Sequence, residues 1–266
     1  MRRAILRVVV YLWCITYASA FQLPYFARQA SLGDATVSDI GKLSGMFNNP
    51  AVVNSQEISF ALTEWFYETR AGSVLASYNI KNWFFFAAGF NYLSYGQISS
   101  YDENGNFLGE FSPYSLSFKA CITKQFYDKL SVGLGIQKVR ELIYYKSSSE
   151  CHFNLGLIYS RKFLNFGASL LGPKESTINT GISIKVFKDL LILSALSYDH
   201  AKELKAKLGV EYYWQKVAFR IGYNDGRFSI GIGYLPESGW VIDYALTNHK
   251  ELGITNGFSV SIKKNP

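Results

Sequence analysis

Three cysteines, three histidines and six prolines in 266 residues leave little of what builds disulfide scaffolds or metal centres. Cys14 lies in the N-terminal segment, and Cys121 with Cys151 makes one pair at most, too few to staple a small fold. The strand map below places those two thiols two strands apart and facing opposite sides, which predicts that both are free. His152, His200 and His249 fall at separate loop edges without ligand spacing, which argues against a metal site. No block of like charges occurs, so nothing marks a nucleic-acid-binding tail. Past the N-terminal segment there is also no apolar run of about eighteen residues, which excludes a membrane-spanning helix.

The first feature present is a leader. Met1-Arg2-Arg3 and Arg7 precede an apolar run from Val8 to Tyr17 and then Ala18-Ser19-Ala20, the charge, core and small-residue pattern of a cleaved secretory signal. The run is too short to anchor the chain across a bilayer. Cleavage after Ala20 removes Arg2, Arg3 and Arg7 and takes the formal charge from +7 to +4.

The rest alternates with period two. In Thr177 to Phe187, Ile178, Thr180, Ile182, Ile184 and Val186 fall on one side, and Asn179, Gly181, Ser183 and Lys185 on the other. Fourteen such segments can be read, at 56–66, 71–80, 83–95, 112–125, 130–141, 151–160, 163–171, 177–187, 190–198, 204–214, 217–224, 227–235, 239–247 and 253–263. Short turns such as Arg161-Lys162, Lys188-Asp189 and Gln215-Lys216 alternate with longer loops such as Gly96 to Phe111, Leu142 to Glu150 and Asp199 to Glu203. An even strand number, alternating loop lengths and one apolar face describe a closed barrel in an outer membrane. Prolines fall at loops, strand starts or termini, where a ladder tolerates them. Tyr78, Tyr92, Tyr159, Tyr198, Tyr212, Trp214, Tyr223, Tyr234, Trp240 and Tyr244 cluster near strand ends on the apolar face, as interfacial girdles do. A soluble β-sandwich also alternates, but it must bury its apolar faces. The inner face, rich in glycine and serine, leaves room for something inside.

One stretch stands apart from this pattern. In Gly33 to Ala51, Asp34 is placed to cap a helix, and Ala35, Val37, Ile40, Leu43 and Met46 follow at roughly helical spacing until Asn48-Asn49-Pro50 breaks it. Leu32-Gly33-Asp34-Ala35, followed after about a dozen residues by Asn49-Pro50-Ala51, resembles the N-terminal hatch signature of the FadL-like outer-membrane proteins, most closely their PorV/PorQ branch. Tyr95-Gly96 with Tyr101 to Phe111 is similar to the long outer loop of PorQ-type proteins. Ile242-Asp243-Tyr244-Ala245, Glu251-Leu252-Gly253 and Phe258 to Ile262 are similar to the family's closing hairpin. The resemblance implies an all-β transmembrane antiparallel barrel of fourteen strands with a short helical hatch in its lumen, Asn49-Pro50-Ala51 forming a rigid hinge into the first strand. The expected organisation is leader 1–20, hatch 21–55 and barrel 56–266.

Nothing in the sequence assembles a catalytic group. Gly133-x-Gly135 and Gly231-x-Gly233 lie inside strands rather than at strand-to-helix turns, so they do not read as dinucleotide sites. A surface phospholipase would need a serine marked out beside a histidine, and none is. The expectation is a non-enzymatic protein without cofactor. By alternation Lys119, Lys185, Lys205, Lys207, Glu211, Arg220 and Asp243 face the lumen, either to hold the hatch or to line a polar path. PorV/PorQ-like proteins serve type IX secretion, so the resemblance implies partners among secretion-system proteins or exported cargo. The alternative is a FadL-like channel for hydrophobic small molecules. Both place the chain among the lipids of a Gram-negative-type outer membrane.

Overall fold

Alternation sorts β1 (Glu57–Glu64) into an exposed row of Ile58, Phe60 and Leu62 and a buried row of Ser59, Ala61 and Thr63. Bulky apolar groups outside and small or polar groups inside invert the arrangement of a soluble core. That inversion is what a wall between lipid and a filled lumen requires. The computed structural model describes residues 26–264 except 66–67, 82, 103, 128, 145, 173–175, 200–202 and 250–252, so the expected leader lies outside the described residues.

The strands that follow are β2 (Arg70–Ile80), β3 (Phe84–Ser94), β4 (Ile98–Tyr101), β5 (Phe107–Phe111), β6 (Tyr114–Phe126), β7 (Leu130–Ile143) and β8 (Lys146–Arg161). Then come β9 (Leu164–Gly172), β10 (Thr177–Phe187), β11 (Leu190–Tyr198), β12 (Leu204–Trp214), β13 (Val217–Asn224), β14 (Arg227–Tyr234), β15 (Trp240–His249) and β16 (Gly253–Lys263). All but β4 and β5 form one closed antiparallel barrel of fourteen strands, sealed where β1 pairs with β16 from Glu57↔Lys263 to Glu64↔Asn256. Cys121 is buried and Cys151 exposed, and both are free thiols. Lys81, Tyr127, Lys162 and Gln215 take positive φ between 48° and 54° in the short turns, the twist that tight hairpins need.

Two loops differ from their expected form. Leu142 to Glu150 is a continued hairpin in which β7 and β8 stay paired out to Ile143↔Lys146. Lys146 to Ser149 are all exposed, because this ladder projects past the wall and has neither a lipid face nor a lumen face. Gly96 to Phe111 folds back on itself as the β4–β5 hairpin.

The hatch differs more. Its helix is α1 (Ala27–Ser31), upstream of the stretch expected to be helical. Gly33, at φ 61°, is the left-handed residue that ends α1, and the Gly33 and Asp34 amides donate to Ala30 O (3.1 Å) and Gln29 O (3.0 Å). That pair of bonds is a helix C-terminal motif, so Gly33-Asp34 stops a helix where the spacing predicted a start. From there the chain crosses the lumen irregularly, with single 3₁₀ turns at Leu43–Phe47 and Pro50–Val52. Its apolar residues enter two separate clusters. Leu32, Ala35 and Val37 pack with Leu193 and Ala195, whereas Leu43, Met46 and Val52 pack with Leu75, Leu93 and Ile158.

Wall glycines let the hatch backbone come this close. A Cβ at Gly222 would collide with Gly33 N, one at Gly167 with Val37 O, and one at Gly133 would stand 2.5 Å from Ala51 N. Gly222→Val is therefore expected to displace the Gly33 turn, at roughly 1–3 kcal/mol as for overpacked cores. Limited proteolysis should then cut the hatch while the barrel keeps its heat-dependent gel migration. An uncut hatch would refute the close approach.

Candidate functional site

The site is the interface between hatch and wall. An irregular backbone inside a barrel leaves carbonyls that no ladder satisfies, and an unpaired buried carbonyl is costly. The wall supplies the donors. Thr123 Oγ1 donates to Pro50 O (2.7 Å), Ser131 Oγ to Ala51 O (2.7 Å), Ser169 Oγ to Asn48 O (2.6 Å) and Ser183 Oγ to Ser38 O (3.1 Å). Lys119 Nζ donates to Phe47 O (2.9 Å) and stands 5.7 Å from the centre of the Phe47 ring.

Asn49 works in the opposite direction. Fully buried, it donates to Val37 O (2.8 Å) within the hatch and to Leu157 O (3.2 Å) and Ala168 O (3.3 Å) of β8 and β9. Its Oδ1 accepts from the Ala51 amide at 2.9 Å, capping the turn that begins at Pro50. The tripeptide expected to be a hinge is thus one of the hatch's fixed points.

Charge fixes the other side. Asp34 Oδ2 accepts from Lys207 Nζ at 2.6 Å, and Asp34 Oδ1 from Asn48 Nδ2 at 2.6 Å, so the carboxylate expected to cap a helix ties two hatch segments to β12. Beside it runs a buried ionic chain. Arg28 of α1 pairs with Asp39 of the hatch and with both oxygens of Glu211 (2.6 and 3.1 Å). Glu211 also accepts from Arg220 Nε (2.6 Å), and Arg220 reaches Asp243 at 2.8 Å.

Of the residues placed in the lumen by alternation, Lys119, Lys207 and Glu211 touch the hatch directly, and Arg220 with Asp243 extends the chain behind them. Lys205 pairs with Asp199 (3.0 Å) and Glu203 (3.2 Å) at the rim. Lys185 is a correction: it is exposed at the end of β10, beyond the lumen. Sequence reading missed Arg28 and Asp39. The available signal was the unequal set of inward charges: five cations against two acids call for acids from the hatch, such as Asp39, whereas nothing comparable announces Arg28. Among the described residues no cluster with metal-ligating composition occurs.

Two small recesses flank α1. One recess of about 30 Å³ lies on the loop side of α1, touching Ala30, Gly33, Thr63 and Gly257. Another of about 20 Å³ lies on its turn side, touching Phe26, Lys42, Val241 and Ser259. Glu211→Gln is expected to weaken hatch docking by about 1–3 kcal/mol, because Arg28 loses a two-point charged partner while keeping Asp39, and Arg220 keeps Asp243. The check is the urea concentration at which a probe on the hatch is released, read beside barrel unfolding. Equal midpoints for the two proteins would show that the ionic chain does not hold the hatch.

No family model and no curated protein matches the sequence. Solved structures match in fold. The Pseudomonas putida toluene transporter TodX superposes with TM-score 0.71 at 12% identity, covering 91% of this chain and 98% of that one. The Ralstonia pickettii toluene transporter TbuX gives TM-score 0.69 at 14% identity, covering 92% of this chain and 100% of that one. These matches show the barrel fold and do not show the PorV/PorQ branch. The chain is a closed fourteen-stranded antiparallel barrel that shares its fold with these two transporters, its lumen occupied by residues 26–55.

Proposed function

We propose that this chain is a non-enzymatic outer-membrane channel for small hydrophobic molecules, with the hatch as its gate. The observation that carries this reading is the filling of the lumen by a segment whose charges and carbonyls are held by exchangeable polar contacts, beside its two apolar clusters. A cavity that takes benzene is roughly 150 Å³, and the recesses on either side of α1 are about 30 and 20 Å³. A solute therefore passes only when α1 moves, which joins the two recesses along β13 to β16 and β1. Toluene transporters of the same fold support the solute class.

The ionic chain suits such a gate. When α1 and the segment through Asp39 leave together, breaking the bond from Ser183 to Ser38 O, Arg28 departs with Asp39, and Glu211 stays with Arg220 and Asp243. Each cation keeps a carboxylate, so opening avoids the large penalty of a buried unpaired charge. The polar contacts to wall hydroxyls can be exchanged for water one at a time.

A second reading, a PorV/PorQ-type role in binding secretion-system proteins or exported cargo, draws on the β4–β5 hairpin. Tyr101, Phe107 and Leu108 on it are exposed by 56%, 58% and 61%. The hairpin is stiff: Phe111 packs edge-on to Tyr144 at 4.9 Å, and Asp102 accepts from the Asn106 and Asn104 amides. Those bonds, Asn106's foremost, hold the Asp102 carboxyl below its ordinary value. Removing residues 98–111 separates the readings, since a channel keeps its uptake without them and a docking protein loses its partner.

The gate is tested by locking it. A Cβ at Gly257 would stand 3.8 Å from Ala27 Cβ, a spacing that suits a disulfide. In a Cys151→Ser background, oxidised Ala27→Cys/Gly257→Cys protein is expected to reduce uptake of a small aromatic hydrocarbon into proteoliposomes to background, with recovery on reduction. Unchanged uptake in the locked protein would remove the hatch as gate. Uptake by the unlocked protein no faster than by empty vesicles would remove the channel.

A further inference from the structure

Lys185, absent from the lumen, belongs to a different arrangement on the outside of the barrel. Pairing of β10 with β11 steps from Lys185↔Leu191 to Phe187↔Leu190, so Val186 is the extra residue of a bulge. A bulge re-aims side chains, and here Ile184, Lys185, Val186 and Phe187 are all exposed where alternation would have hidden two of them. The Lys185 amide donates to Phe163 O at 2.8 Å, which fixes this strand end against the β8–β9 turn. Phe163, Ile184, Lys185, Val186, Phe187 and Lys188 line one open groove of about 500 Å³.

We propose that this groove binds the headgroup of an anionic phospholipid from the leaflet that meets the barrel's short turns. Four apolar side chains offer a surface to the glycerol and first methylenes. Lys185 and Lys188 bring two ammonium groups to the same groove, and no carboxylate lines it. Its surroundings have the same sign: Arg161 and Lys162 are next to Phe163 in the turn, and Lys81, Lys129 and Lys216 occupy other short turns of this rim. The described acids there are Asp189 beside Lys188 and Glu237, which pairs with Lys216 at 3.3 Å. The rim also repeats the lysine-on-aromatic pattern, with Lys124 Nζ 4.8 Å from the Phe84 ring centre and 5.8 Å from that of Trp83. Basic side chains just beyond an apolar belt are the arrangement that draws anionic headgroups. The inference requires the barrel to sit in lipid and is independent of what the lumen passes.

Native mass spectrometry of the full chain in neutral detergent tests it, with phosphatidylglycerol, phosphatidylcholine and inorganic phosphate as separate additions. Phosphatidylglycerol should be retained over phosphatidylcholine, and Lys185→Ala/Lys188→Ala should weaken that retention by roughly fivefold for each lysine removed. Both lysines are exposed, so the barrel is expected to fold, and unaltered gel migration verifies it. Lys146→Ala, at the opposite rim, should change nothing. Equal retention of the two lipids, retention unaffected by the double variant, an equal loss in Lys146→Ala, or displacement of the lipid by stoichiometric inorganic phosphate would each overturn the proposal.

Discussion

A strand-poor segment shut inside a closed sheet must find partners for its own backbone, and the rest of this structure follows from that constraint. A helix or a ladder would satisfy its carbonyls internally; the hatch, beyond α1 and two short 3₁₀ turns, has no such repeat. The wall therefore does two things at once. Glycines such as Gly133, Gly167 and Gly222 bring the hatch backbone within reach, and neighbouring hydroxyls from Thr123, Ser131, Ser169 and Ser183 close its carbonyls. A larger inward residue would push the backbone away from those donors, and a glycine without a nearby hydroxyl would leave the carbonyl unmet.

The ionic chain adds direction to this non-directional fit. Hydroxyl-to-carbonyl bonds would tolerate several registers of the hatch, because every residue offers the same carbonyl. Arg28 between Asp39 and Glu211, and Lys207 on Asp34, tolerate one. Buried ion pairs are weak evidence for net stability, but they select strongly between alternatives, since a misplaced hatch would leave Glu211 and Arg220 unmatched to Arg28.

Legibility followed the two-faced environment. Where a strand has lipid on one side and hatch on the other, alternation marks its limits, and β10, β11, β12, β13 and β16 begin and end where the sequence places them. Where both faces meet water, as at Lys146 to Ser149, the ladder continues without any apolar signal, and the sequence there looks like a loop. The hatch was misread for a related reason. Its apolar residues are spaced like one face of a helix, yet Val37 and Leu43 enter different clusters on different parts of the wall. Periodicity assumes one partner surface, and this segment has a ring of them. Lys185 failed through a local event, because a bulge one residue away cancels parity and nothing in the residue types announces it.

The seam between β1 and β16 has a consequence for how the molecule is made. The bond from Lys263 Nζ to Gly41 O joins groups 222 residues apart, so a contact to the hatch waits on the last strand. Closure over such a separation is slow, as topologies dominated by distant pairings are. During that interval the hatch can settle against the strands already formed. The finished cylinder then encloses cargo that it did not have to admit through either end.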